Sequence, residues 1–295
     1  MRRLVEAARP ICLTVVGVIG ALVLQTGFSA QADAARSGLE ILHTYATSNA
    51  WEISSGITLS AASLRPLLPA GYQPLPASAL GFGGADQGIV AIVNFQGLQP
   101  TIDQRPSGAD DQIAIDVGIV VAEPAEAALI NANVPGAFHI YALTIYTNDA
   151  RYAASLEGSG IPVEYVRGIT YDRQITDATG IGQVAVNVPS HDAPFHSALN
   201  GFGYQPRSGP LNAVFWHQDQ RGTAALHVHD EPYLQGQGFS QVYLRPDSPL
   251  GMLALGGGLG PCPAGPDPRF GCVNAAALNF RYPRGTHVEL DLITE

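Results

Sequence analysis

Residues 112–121 read QIAIDVGIVV, and this run of β-branched side chains indicates the class of fold. Isoleucine and valine favour extended backbone, because their branched side chains suit the pleated surface of a sheet better than the crowded surface of a helix. Similar runs recur along the chain, so the sequence predicts many strands. These further runs lie at residues 89–95, 139–146, 183–188, 213–217, 224–229, 241–245, 277–282 and 287–293.

Helical signals are few, and each predicted helix is short. Each begins at a residue that can cap the amino end of a helix and ends near a glycine, a proline or a leucine. They are expected from Ser60 to before Pro66, from Asn148 or Asp149 to Gly158, and from Ser248-Pro249 to Leu255. Many strands and three short helices predict a mainly β (β-rich α+β) fold, arranged as an antiparallel β-barrel or sandwich.

Residues 1–34 predict a secretory signal peptide. Arginines precede an apolar block over residues 11–24, and small residues follow at 29–34. The block is shorter than the run of about 18 apolar residues that a membrane span needs. Residues 35–295 are therefore expected to form a single β-rich domain that is secreted or periplasmic, with no membrane span after cleavage.

The expected mature chain is acidic. Removal of the signal peptide takes away three arginines, one glutamate and one aspartate, which leaves a formal net charge of about −11. Nucleic-acid binding needs clustered positive charge, so nucleic acid is not an expected partner. A small-molecule ligand is the expected partner, and the sequence leaves a homo-oligomer open.

Two cysteines remain in the expected mature chain, Cys262 and Cys272. They flank PAGPDPRFG, a loop rich in turn-forming residues. In the oxidising compartment that a signal peptide implies, the expected state of such a pair is a disulfide that closes the loop.

Three segments resemble the acetoacetate decarboxylase-like superfamily. Residues 63–75, SLRPLLPAGYQPL, look like a segment that precedes a strand in that family. Residues 141–150, YALTIYTNDA, are similar to the strand that runs into its short helix. Residues 158–165, GSGIPVEY, resemble the Gly-Phe-Pro-Lys-Lys turn that carries its Schiff-base lysine. The resemblance implies this fold and an interior that can enclose a small carbonyl- or carboxylate-bearing molecule.

The chain departs from the family because it contains no lysine, and all 15 of its basic residues are arginine. A Schiff base needs an amine that can lose its proton, whereas a guanidinium stays protonated. Val163 and Glu164 stand in the turn where the family has its lysines. The sequence therefore predicts a divergent relative that is not a Schiff-base decarboxylase.

The residues after this turn are candidates for ligand contact. Alternation along a strand places Glu164 on one face and Tyr165 with Arg167 on the other. Glu164 is a candidate catalytic base, and an arginine beside a tyrosine hydroxyl suits the carboxylate of an oxo acid. An ordinary ion pair at an exposed strand edge is the alternative.

Residues 212–231, NAVFWHQDQRGTAALHVHDE, predict a hairpin that turns at DQRG. Pairing of Gln218 with Thr223 would put Trp216 and His217 on opposite faces of the first strand. Trp216 and His217 are both predicted ligand-binding residues.

His227, His229 and Glu231 alternate on one side of the second strand of this hairpin, as the ligands of a divalent metal would. The His-x-His spacing is similar to that of cupins, but cupins place three or four residues before their glutamate, and one residue stands here. A polar strand without metal is the alternative. No other cofactor is predicted.

Three functions remain open from the sequence. The first is an exported binding module that encloses a small, partly apolar or carbonyl- or carboxylate-bearing ligand. The second is a lysine-independent lyase or isomerase, with Glu164 or a histidine as the acid-base group for a carbonyl substrate. The third is a metal-dependent, cupin-like oxygenase or lyase that uses His227, His229 and either Glu231 or His287. Neither a P-loop nor a G-x-S-x-G motif occurs.

Overall fold

The computed structural model describes residues 38–190, 195–201, 203–206, 211–230, 233–262 and 269–294. In this part of the chain it contains three short α-helices, α1 (Ala61–Leu64), α2 (Ala150–Gly158) and α3 (Pro249–Ala254). Four 3₁₀ turns cover Arg65–Leu67, Ala77–Leu80, Ala125–Ala128 and Leu255–Gly257. The strands are β1 (Leu39–Ala46), β2 (Asn49–Ser60), β3 (Gln87–Leu98), β4 (Thr101–Ile102), β5 (Arg105–Pro106), β6 (Asp111–Val120), β7 (Phe138–Thr147), β8 (Val163–Tyr165), β9 (Thr170–Ile175), β10 (Gly182–Val188), β11 (Phe195–Gly201), β12 (Gln205–Pro206), β13 (Leu211–Asp219), β14 (Gly222–Asp230), β15 (Leu234–Leu244), β16 (Gly260–Pro261), β17 (Gly271–Tyr282) and β18 (His287–Ile293).

The mainly β prediction is confirmed, because these strands form one large sheet. Its main path runs β4-β1-β18-β14-β13-β7-β6-β3-β2-β17-β15-β11-β10-β9, with β8 beside β7. Two pairs, β7 with β13 and β7 with β8, are parallel, so the sheet is mixed rather than wholly antiparallel. The pairings among the described strands make an open path, and they do not close the barrel that was one of the two predicted arrangements.

The predicted hairpin is confirmed in its register. Gln218 in β13 lies opposite Thr223 in β14, and His217 lies opposite Ala224. The turn between them also contacts helix α2. The Arg221 guanidinium donates a 2.5 Å hydrogen bond to the Gly158 carbonyl at the end of that helix.

Helix α2 begins where the sequence predicts. The Asp149 carboxylate accepts hydrogen bonds from the backbone N–H groups of Arg151 and Tyr152, which would otherwise lack partners at the first turn. After the helix, Gly160 has a φ of +87°, and a Cβ there would meet the Arg221 side chain at 1.9 Å. The positive φ favours glycine at this corner, which turns the chain from α2 into β8.

The side chains of the central strands divide between two buried clusters. On β6, Ile113 and Ile115 face one cluster, whereas Ala114 faces the other. We call the second one the cavity-side cluster; it also contains Phe215 of β13 and Leu226 of β14. Both faces of β6 are buried, so every residue of this strand must suit a protein interior.

Cys262 and Cys272 form the predicted disulfide, with their Cα atoms 5.4 Å apart. A disulfide is consistent with an extracellular or periplasmic location. The predicted signal peptide, residues 1–34, lies outside the described residues, so its boundary with the 35–295 domain stays a prediction. Among the helices that the structure describes, none has the length and apolar character to cross a membrane.

Replacement of both cysteines by serine is expected to destabilise the fold. The bridge restricts the unfolded chain, so its loss should lower the free energy of unfolding by about 2–3 kcal/mol. Urea denaturation of the Cys262→Ser, Cys272→Ser variant and of the wild type measures this difference. Equal unfolding midpoints with equal slopes would show that the bridge contributes no stability.

Candidate functional site

An apolar cavity of about 130 Å³ lies on the cavity side of the sheet. Residues from β2, β3, β6, β7, β13, β14 and β17 line it, together with Leu80 at the end of the second 3₁₀ turn and Phe82 after that turn. Aromatic and aliphatic side chains make most of the wall, among them Val93, Phe138, Ile140, Phe215, Val228 and Phe280. Such a wall favours a ligand with an apolar body.

A second cavity of about 50 Å³ adjoins the first and is more polar. The two share four lining residues, which are Glu52, Val93, Phe215 and Val228. The smaller cavity adds Asp116 from β6, Gln112 from the same strand, Tyr45 from β1 and Tyr152 from α2. The site therefore has a long apolar part and a short polar end, with Glu52 at the boundary.

Glu52 lies on β2, and two hydroxyl groups hold its carboxylate. The Ser54 hydroxyl donates to one oxygen at 2.6 Å, and the Tyr282 hydroxyl donates to the other at 2.9 Å. Burial raises the pKa of Glu52 above its ordinary value, and the two hydrogen bonds oppose that rise. Both oxygens of Glu52 are thus oriented by the protein.

Asp116 lies in the middle of β6 and is only 7% exposed. Its Oδ1 atom has no hydrogen-bond partner among the described residues, although it belongs to a side chain that lines the polar cavity. Burial, together with a smaller electrostatic contribution from Glu52, raises the pKa of Asp116 to about 8. The carboxyl group is therefore mainly protonated near neutral pH and can donate a hydrogen bond.

Helix α2 supplies the aromatic wall next to Asp116. The Tyr152 ring packs edge-on against the Tyr45 ring, with 4.9 Å between centroids, and the Tyr45 hydroxyl donates to Ser155 Oγ at 3.0 Å. Burial raises the pKa of Tyr152 well above its ordinary value, and the nearby Asp116 carboxyl adds to the rise. Burial also raises the pKa of Tyr45, so both phenols stay neutral near neutral pH.

The turn that resembles the decarboxylase lysine turn places its two central residues on opposite faces. Val163 packs against the cavity-side cluster. Glu164 is half-buried elsewhere, where its carboxylate accepts a 3.0 Å hydrogen bond from the Ser190 hydroxyl, and it is not among the residues that line either cavity. A catalytic role for Glu164 stays a prediction, and the structure does not bring it to the two cavities.

The other predicted ligand contacts also lie away from the cavities. Tyr165 and Arg167 are exposed. Trp216 is fully buried on the opposite face of β13, where its Nε1 donates to His139 Nδ1 at 3.3 Å. His217 donates from Nδ1 to a backbone carbonyl at 3.2 Å. Their ligand-binding roles stay predictions, and the hairpin contributes Ala213, Phe215, Leu226 and Val228 to the cavity walls instead.

The predicted metal ligands His227 and His229 lie together, with 3.5 Å between their ring centroids. They share a face of the sheet with Trp216 and do not line the cavities. Desolvation, together with smaller contributions from His229 and His139, lowers the pKa of His227 to about 3. In the described part of the chain, no group of three His, Cys, Asp or Glu side chains could hold a metal. Glu231 lies outside that part, so the metal site stays a prediction.

Glu52 and Asp116 were not among the residues that the sequence singled out. Asp116 carries a recognisable signal, because it is the only charged residue within the apolar run 112–121. A charged side chain in a strand buried on both faces must have a reason to be there. Glu52 carries a weaker signal, since the strand around it, NAWEISSGITLS, alternates small polar and apolar residues.

No protein-family model and no curated protein matches this chain. Solved structures match it in fold. An acetoacetate decarboxylase-like enzyme from Sphingomonas wittichii RW1 aligns with a TM-score of 0.50 and 11% identity, over 88% of this chain and 94% of that one. This chain has the acetoacetate decarboxylase-like fold. The resemblance found in three short sequence segments is thereby confirmed at the level of the fold.

Two further structures are similar over most of their length. The enduracididine biosynthesis enzyme MppR complexed with pyruvate aligns with a TM-score of 0.45 and 12% identity, over 82% of this chain and 88% of that one. An acetoacetate decarboxylase from Legionella pneumophila aligns with a TM-score of 0.43 and 10% identity, over 85% and 87%. Such low identities leave the chemistry to be argued from the site itself.

The replacement Asp116→Asn is expected to change how stability depends on pH. The native carboxyl keeps its proton up to about pH 8, whereas the carboxyl in the unfolded chain loses it near its ordinary pKa of 3.8. Between these values the native state binds the extra proton, so stability from this group is lost as pH rises from about 4 to about 8. The loss is at most about 1.4 kcal/mol per pH unit and levels off above the native pKa.

Urea denaturation between about pH 5 and about pH 8 measures this effect in the wild type, in Asp116→Asn and in a control. The control is Asp110→Asn, the same chemical change at an exposed residue. The Asp116 variant should show a flatter dependence than the other two proteins. Identical slopes in all three proteins would contradict a raised pKa at Asp116.

Proposed function

We propose that this protein encloses a small, partly apolar ligand in the two adjoining cavities. The observation that carries the proposal is the junction at Glu52 of an apolar cavity with a short polar end. Small-molecule sites commonly have mostly apolar walls and a few convergent polar groups that orient the ligand. Here the apolar part would hold the hydrocarbon body, and Glu52 with Asp116 would meet a carbonyl or carboxyl end.

The proposed binding does not involve a covalent bond between the ligand and a lysine. Val163, the residue of the turn that packs against the cavity-side cluster, cannot attack a carbonyl, and the chain contains no lysine. A Schiff base is therefore not part of the proposed function. The disulfide supports the further proposal that the protein works in a secreted or periplasmic setting.

A second candidate function is acid-base catalysis on a carbonyl substrate, as a lyase or isomerase. One observation favours it: the carboxyl groups of Asp116 and Glu52 line the same buried space, and burial raises the pKa of both. Two carboxyl groups with perturbed pKa values in one site can act as acid and base in a reaction. Exchange of the α-hydrogens of 2-heptanone with deuterium, followed by NMR, tests it. Exchange catalysed equally well by Glu52→Gln would argue against this function.

The replacement Ala213→Leu is expected to remove the ligand from the protein. Ala213 lines the apolar cavity from β13, and a larger side chain there would occupy space that the ligand needs. Native mass spectrometry of protein purified from its exported compartment should show a bound organic mass in the wild type. Its occupancy should fall at least about tenfold in the variant, the effect of losing about 1.4 kcal/mol of binding free energy.

The matched control is Ala185→Leu, the same enlargement at an exposed residue of β10 outside both cavities. This control should retain the wild-type mass. Equal occupancy in Ala213→Leu and the wild type would place the ligand elsewhere, and its absence from all three proteins would remove the support for the proposed function.

A further inference from the structure

The side chains at the polar end limit which ligands the site can accept. Among the described residues, those that line the two cavities include two carboxyl groups, Glu52 and Asp116, and no arginine or histidine. A ligand carboxylate would thus enter a desolvated space without a cation to offset its charge. An unpaired buried charge is costly.

Asp116 is the group at this end with unused hydrogen-bonding capacity. It is more than nine-tenths buried, it lines the polar cavity, and its Oδ1 has no partner among the described residues. Its neighbours on the adjacent strands are apolar, Val93 on β3 and Ile145 on β7. A buried carboxyl oxygen without a partner costs free energy, which a ligand group in hydrogen-bond contact would recover.

The groups that face Asp116 from the elements around it favour its protonated form. Glu52 faces it from β2, Tyr152 from α2 and Tyr45 from β1, and none of these carries positive charge. A protonated carboxyl has an O–H group to donate. The best complement is an oxygen that accepts a hydrogen bond and brings no charge of its own.

Glu52 already has hydrogen-bond partners within the protein. Its two oxygens accept from the Ser54 and Tyr282 hydroxyls, so its carboxyl group is held in place at the boundary of the cavities. The arrangement combines a donor for a neutral acceptor with a space whose described lining offers an anion no cationic partner. Specificity often needs both a favourable and an unfavourable element.

We propose that Asp116 donates a hydrogen bond to the carbonyl oxygen of an uncharged ligand, and that the two cavities disfavour carboxylates because their described lining offers no cationic partner. The site then selects ketones or aldehydes over acids of similar size. This inference rests on the proposed function, because it names the ligand class of the same cavities. The sequence predicted a carbonyl- or carboxylate-bearing ligand, and this inference narrows that class to uncharged carbonyl compounds.

Three probes of similar length and different charge test the ligand class, namely 2-heptanone, hexanoate and hexylamine. Their affinities for the wild-type protein are measured by isothermal titration calorimetry near pH 6.5. The ketone is expected to bind at least about tenfold more tightly than either charged probe, since it alone matches the donor and carries no charge.

The pH dependence of ketone binding identifies the donor. In the wild type, affinity should fall about tenfold between about pH 7 and about pH 9, because one pH unit above a pKa of about 8 leaves roughly one carboxyl in ten protonated. Asp116→Asn keeps an N–H donor that does not titrate, so it should bind the ketone without this pH dependence. Asp110→Asn, the exposed control, should follow the wild type.

The possible results distinguish a failure of this inference from a failure of the proposed function. Tighter binding of hexanoate or hexylamine, or binding of either equal to that of the ketone, overturns the inference but leaves the cavity as a binding site. A ketone affinity that does not change with pH in the wild type, or that changes equally in Asp116→Asn, also overturns it. If none of the probes binds and Ala213→Leu has no effect on bound mass, the proposed function itself fails.

Discussion

Burial of the central strands on both faces is the constraint on which this structure depends. In β6 successive side chains point to opposite faces, so Ile113 and Ile115 enter one core while Ala114 and Asp116 face the cavities. No side of such a strand is available to hold a charge in water. A carboxyl group placed there must stay neutral, find a partner or contact a ligand, and this requirement makes Asp116 the centre of the candidate site.

The corner between α2 and β8 resembles the decarboxylase turn but has no Schiff-base lysine. The Asp149 cap and the Arg221 hydrogen bond maintain the helix and the turn, and Gly160 permits the sharp change of direction. The residue that this corner presents to the interior is Val163. Because valine has no nucleophilic group, any chemistry must come from other strands that line the cavities.

Local patterns predicted the elements whose stability is local. The hairpin register followed from alternation on either side of a tight turn, and Asp149 could be identified as a cap because its role involves only the next three residues. Strand β2 was missed, since its small polar residues weaken the alternating pattern. The mixed character of the sheet was also missed, because the parallel pairing of β7 with β13 joins segments about 70 residues apart.

The sequence by itself determined the mainly β class, the positions of the helices, the disulfide pair and the absence of a lysine nucleophile. Each of these follows from residue identity or from contacts close along the chain. Only the tertiary structure decided which face of each strand is the cavity side. Strand parity groups Glu164, His227 or Asp116 with neighbours, but it does not say which group faces inward. That choice brought Glu52 and Asp116 together from different strands and left Glu164 outside the cavities.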